Sequence, residues 1–111
     1  MGQRDSLGEF EQLVLLAILR LDTNAYGMTI RREIEERVAR PTSIGALYFT
    51  LNRLEQKGFV ASRLGEATSE RGGRAKRFFT VNPSGRQSLR KSLAAVQKMA
   101  KGFFTFPEAV R

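Results

Sequence analysis

The sequence predicts a mainly helical fold carrying one two-stranded β wing, in the order α-α-α-β-β-α. Apolar residues recur at helical spacing through three successive segments up to Lys57. After Gly58 the period shortens to two, and beyond Asn82-Pro83 it returns to steps of four and three.

The first segment runs from about Leu7 to Leu21. Phe10, Leu13, Val14, Ala17, Ile18 and Leu21 form one helix face. Leu15, Leu16 and Leu19 are apolar as well and are placed on the other side. A helix apolar on two faces has to bury both. One face suits its own core, and the second is assigned to another subunit.

Asn24 is the expected cap of the second helix. Ile30, Ile34 and Val38 recur every four residues as its core stripe, with Arg31, Arg32, Glu33, Glu35, Glu36 and Arg37 solvated around them. Arg40-Pro41 ends it, because proline disfavours helical geometry in the preceding residue. Thr42 or Ser43 caps a third helix reaching Lys57, with Ile44, Leu47, Leu51 and Leu54 buried. Its other face carries Gly45, Ala46, Phe49, Asn52, Arg53 and Gln56. Gly58 supplies a left-handed stop.

Two short strands follow, 59–64 and 75–81, with Gly72-Gly73 as the turn. The hairpin tip carries Arg71, Arg74, Lys76 and Arg77. Asn82 at the cap and Pro83 at the first position open the last helix. Leu89, Leu93, Val96, Ala100 and Phe103 make a seam of about two heptads, too short for a free coiled coil and suited to docking on a partner. An apolar tail, Phe103 to Pro107, follows the helix. The expected division is 1–82 as a winged-helix unit and 83–111 as a dimerisation helix and tail, packed with the first helix as one compact unit.

Composition narrows the function classes. The 111 residues, 41% hydrophobic and 27% charged, suit one modest core that gains from a partner subunit. Cysteine and histidine are absent, which excludes disulfides, the usual nucleophilic triads and most transition-metal sites. No cofactor is expected, and no enzyme chemistry. No apolar run approaches a membrane span. The first residues lead into the run Leu13–Leu19 without a cleavage-type signal, so a bacterial cytoplasmic location is expected.

The net charge of +8 is unevenly placed. Residues 1–56 hold seven Arg against eight Asp or Glu, whereas residues 57–101 hold eleven Lys or Arg against Glu66 and Glu70 alone. A basic second half points to a polyanion partner. The alternatives are a merely solvated basic surface and a winged-helix protein-interaction module without sequence-specific DNA binding.

A helix, a short proline-containing connection, a second helix and then a wing is the order of a winged helix-turn-helix, whose recognition helix enters the DNA major groove. On that reading Ser43, Gly45, Ala46, Tyr48, Phe49, Asn52 and Arg53 face DNA from the third helix. Arg71, Gly73, Arg74, Lys76 and Arg77 face phosphate or minor groove from the wing. Tyr48 suits a phosphate contact and a core position equally. Phe49 suits a thymine methyl or a contact with the wing. Arg53 has the reach for a base edge or a phosphate. The expected dimer interface is Leu15, Leu16, Leu19, Leu89, Leu93, Val96, Ala100 and Phe103. Leu15, Leu19, Phe103 and Phe104 are the candidate pocket for a small apolar or aromatic effector.

These residues resemble the PadR-like regulators over nearly the whole chain. The resemblance rests on Gly8 with Val14-Leu15, on Ala25-Tyr26-Gly27, and on Ser43-Ile44-Gly45-Ala46-Leu47-Tyr48. It continues through Leu51-x-Arg53-Leu54-Glu55-x-x-Gly58-Phe59-Val60, then Gly73-Arg74-x-x-Arg77-Phe78-Phe79-Thr80-Val81 and Gly85. It implies a homodimer joined through the first and last helices and acting mostly as a repressor, of the small type with one C-terminal helix. The family often has proline at the position of Phe49 and tyrosine at that of Phe79. Some small members line a central pore with tryptophan, which this chain lacks.

Overall fold

A computed structural model describes residues 6–65 and 75–104. The elements are α1 (Glu9–Leu21), a single 3-10 turn (Asp22–Asn24), α2 (Gly27–Val38), α3 (Ile44–Gln56), β1 (Val60–Leu64), β2 (Arg77–Val81) and α4 (Pro83–Ala100). This is the expected order of four helices and one hairpin.

The core forms where α1, α2, α3 and the base of the hairpin meet. Val14, Leu15, Ala17 and Ile18 of α1 are buried against Ile30 and Ile34 of α2 and Leu47, Leu51 and Leu54 of α3. Phe59, Val60 and Phe79 close it from the hairpin side, and Leu89 from α4. Leu13, Leu16 and Leu19 are only half-buried at its edge.

Several expectations change here. Leu15 and Leu89 are enclosed in the protomer's own core, so neither side chain is available to a partner or an effector. Each stands one step from the half-covered positions, Leu16 and Leu93, and the heptad spacing did not resolve that step. Ile44 and Val38 sit at helix ends, where the facing helices no longer reach, and both are exposed.

The start of α2 is built differently from a simple Asn24 cap. Asn24 lies in the 3-10 turn, and its carbonyl accepts from the Thr29 hydroxyl at 2.6 Å. Thr29 Oγ1 in turn accepts from the Tyr26 N–H at 3.0 Å, satisfying a donor at the helix start. The helix ends with Ala39 at φ 53°, a left-handed turn in a residue with a Cβ. That geometry costs roughly 1–2 kcal/mol and turns the chain sharply into Arg40-Pro41. Ser43, and not Thr42, caps α3, its Oγ accepting from the Ala46 N–H at 3.1 Å.

The hairpin is antiparallel, running from Val60 opposite Val81 to Leu64 opposite Arg77. Its second strand has another neighbour: Tyr26 pairs with Phe78, and the Phe79 N–H donates to the Ala25 carbonyl at 2.8 Å. The segment before α2 thereby holds the free edge of β2.

At the other end of the hairpin, α4 is fastened to the junction of α3 and β1. The Asn82 amide and the Ser84 hydroxyl both donate to the Gly58 carbonyl, at 2.9 and 2.8 Å. Asn82 therefore secures the helix start through Gly58 rather than by a side-chain cap. Gly85 lies against the Phe59 carbonyl so closely that a Cβ would overlap its oxygen. Among the described residues only the first two turns of α4 are covered, by burial of Gly85, Ser88 and Leu89. Further along the seam, Leu93 is 38% exposed, Val96 57% and Phe103 82%.

Candidate nucleic-acid interface

The two sides of α3 divide cleanly. Leu47, Thr50, Leu51 and Leu54 are buried, while Gly45, Ala46, Tyr48, Phe49, Asn52, Arg53 and Gln56 are exposed together. The fold thus presents the third-helix residues expected from the sequence on one continuous face. Ser43 spends a lone pair on its cap and keeps its hydroxyl proton for an acceptor outside. The small side chains of Gly45 and Ala46 leave the first turn open, where unpaired N–H groups and the helix dipole favour phosphate oxygen.

Tyr48 leans over the first residue of α2. A Cβ at Gly27 would overlap its hydroxyl, so glycine there is what lets the ring lie flat against the chain. Tyr48 is nevertheless partly exposed, with its hydroxyl end the part that packs at Gly27. Among the described residues Phe49 does not fold back onto the wing. Its ring is 64% exposed and is faced by the Arg53 guanidinium at 5.8 Å.

Arg53 has a further partner that helix spacing could not show. Its Nε is 3.8 Å from Glu11 Oε2, and Lys57 Nζ donates to the same oxygen at 3.0 Å. Glu11 belongs to the first turn of α1, where a carboxylate also complements the helix dipole. One carboxylate thus balances two cations at the C-terminal half of α3. Near the N-terminal end of α3, Phe10, Arg31, Arg40, Pro41, Ser43 and Ala46 surround an open depression. The Arg40 guanidinium lies 5.0 Å over the Phe10 ring and bonds Glu9 Oε1 at 3.2 Å.

The root of the wing is stiffened by stacked cations and rings. Lys76 Nζ sits 5.1 Å over the Tyr26 ring, Tyr26 meets Phe78 edge-on at 5.5 Å, and Arg63 covers Phe78 at 5.0 Å. Such contacts contribute about 0.5–1 kcal/mol each at exposed sites. Arg77 is less free than its place near the tip implied. Its Nη1 donates to Ser62 Oγ at 2.9 Å, and that hydroxyl donates to Glu55 Oε2 of α3 at 2.8 Å. Arg71, Gly73 and Arg74 lie outside the described residues.

Arg63, Arg31 and Arg40 were not singled out from the sequence, although each adds charge near this face. Only Arg63 left a signal, as the strand partner of Phe78. The candidate effector residues do not come together in the protomer: Leu15 is enclosed, whereas Phe103 and Phe104 are exposed beyond α4. Among the described residues no cluster of acidic side chains could hold a metal ion, and no helix is long and apolar enough to cross a membrane.

Known proteins share this arrangement. The sequence profile of the transcriptional regulator PadR-like family matches residues 15–91, from the middle of α1 into α4. The chain belongs to the PadR-like family. A transcriptional regulator of Mycobacterium tuberculosis is 31% identical over 80 residues, covering 72% of this chain and 70% of the relative. Among solved structures, a transcriptional regulator from Clostridium thermocellum superposes with a TM-score of 0.69 at 20% identity, covering 82% of this chain and 85% of that one. A PadR-like transcription factor from Bacteroides fragilis gives 0.69 at 20% identity, covering 83% and 84%. At that identity the superpositions establish the winged-helix fold, and the family match establishes the class, transcriptional regulators that act by binding DNA.

Proposed function

We propose that this PadR-like protein is a homodimeric repressor that reads an inverted-repeat operator. One α3 enters each of two successive major grooves, about 34 Å apart. The observation that carries this reading is the exposed face of α3: an open, Ser43-capped first turn, then Tyr48, Asn52 and Arg53 on the same side. An amide such as Asn52 can read adenine, and a guanidinium such as Arg53 can read guanine or hold phosphate. Lys76, Arg77 and the wing tip with Arg71, Gly73 and Arg74 add backbone contacts.

The dimer rests on the uncovered seam of α4. Among the described residues Leu93, Val96 and Phe103 are exposed and Ala100 is half-buried, and Leu16 and Leu19 of α1 offer a second half-covered apolar strip. In this division residues 1–82 read DNA and residues 83–111 join the subunits. Repression follows from occupancy of a promoter, in the cytoplasm of a bacterium at its nucleoid. A small apolar effector lodged by Leu19, Phe103 and Phe104 at the centre of the dimer would shift the spacing of the two α3 helices and release the operator.

The experiment is to mix the purified protein with fragmented genomic DNA of its source and sequence what remains bound. An enriched inverted repeat, especially upstream of the protein's own gene, is expected. Retention without enrichment, lost in moderate salt, would contradict the proposal.

A further inference from the structure

A second basic surface lies away from α3, on α4. Arg86, Arg90, Lys91, Lys98 and Lys101 are all exposed, and none forms an ion pair among the described residues. No Asp or Glu occurs anywhere from residue 71 to residue 107. At 3.6 residues per turn these five cations fall within an arc of about 140°, and from Arg86 to Lys101 they extend about 22 Å. Leu89, Leu93, Val96, Ala100 and Phe103 occupy a separate arc, so docking the seam leaves the cations outside. Val81, Pro83 and Ala94 floor a shallow groove beside Arg86, Arg90 and Lys91.

We propose that this stripe is a second DNA-binding surface, which holds the phosphate backbone of a separate duplex while α3 occupies the first. The inference rests on the reading of the protein as a DNA-binding regulator. The charge pattern selects the occupant. About 22 Å of duplex axis carries roughly 13 phosphates, a dense array that a row of cations can contact without sequence preference. The exposed aromatics Phe103 and Phe104 stand beyond Lys101 at the far end of the row. Between Arg86 and Lys101 no aromatic anchor, the feature that concentrates binding energy when the partner is a protein, interrupts the cations. A bilayer fits poorly, because Leu89 of the apolar face is held in the core and the rest of that face is the seam of the proposed dimer, which leaves no apolar face for lipid. The stripe starts at the base of the hairpin, where Val81 passes into Pro83, the end of the wing opposite its tip. The first duplex and the second are thereby gripped from different ends of the wing.

The test uses the full chain, an arbitrary duplex fixed on beads and a second, fluorescent duplex free in solution. Wild type is expected to coat the beads and retain the fluorescent duplex. The variant R86Q/R90Q/K91Q is expected to coat them equally and to retain at least tenfold less. The logarithmic salt slope of that retention should fall by about two to three, because each lost phosphate contact removes about 0.9. Wild-type beads that capture nothing, or a triple variant that captures as well as wild type, would overturn the proposal. So would a triple variant that elutes as a monomer, since the stripe would then be a subunit interface. Failure of the α3 reading has a different signature: an N52A/R53A variant that keeps full sequence preference while capture is intact.

Discussion

Helices α3 and α4 are both amphipathic, yet the fold treats them in opposite ways. The apolar stripe of α3 is enclosed from Leu47 to Leu54, and the cations Arg53 and Lys57 at its C-terminal end are drawn toward the carboxylate of Glu11. The stripe of α4 is covered for two turns and then runs out uncovered, and its outer cations meet no carboxylate among the described residues. Periodicity shows that a helix has a face to bury; it does not show what buries it. In α3 the same chain does so, and α3 can serve as a rigid reading element. In α4 the uncovered half is where the proposed second copy would add burial.

The sharpest way to break this contrast is to place a charge on the uncovered seam. Leu93→Asp would bury an unpaired carboxylate in the interface, and size-exclusion should show a monomer with operator binding lost. A dimer that survives would remove the seam from the account. The covered stripes give the next largest effect. Leu51→Ala in α3 or Leu89→Ala in the first half of α4 should cost about 2–5 kcal/mol in denaturant unfolding. Val96→Ala should cost far less in the monomer and appear instead in the concentration dependence of the melt.

Smaller effects separate the roles on α3. Asn52→Ala should reduce discrimination between operator and altered sites by about 1–3 kcal/mol at one base position. A uniform loss over all sequences would make it a backbone contact. Ser43→Ala should cost about 1 kcal/mol of stability through the lost cap. Glu11→Gln frees Arg53 and Lys57, so binding to unrelated DNA should tighten slightly and its salt slope should steepen. An unchanged slope would show that neither cation reaches a phosphate.

The order of elements, the exposed face of α3 and the helix starts at Ser43 and Pro83 were legible because each has a local cause. Spacing, a side-chain oxygen at a cap and a fixed proline φ all act within a few residues. What remained illegible depends on distant parts of the chain. Leu15 and Leu16 are adjacent on an apolar helix, and only the placement of α2, α3 and the hairpin decides that Leu15 is the enclosed one. The Glu11 pairing with Arg53 and Lys57 joins residues more than forty positions apart. The contact of Ala25 and Tyr26 with β2 likewise left no sign beyond the aromatic character of Tyr26 and Phe78.

The most direct test of the central claim is a hydroxyl-radical footprint on the enriched fragment, with wild type and the Asn52→Ala variant side by side. Two-fold symmetric protection is expected, its halves about one helical turn apart, and weakened by the variant at the α3 contacts. Protection without two-fold symmetry, or a footprint that the variant leaves unchanged, would contradict α3 as the reading element of a dimer.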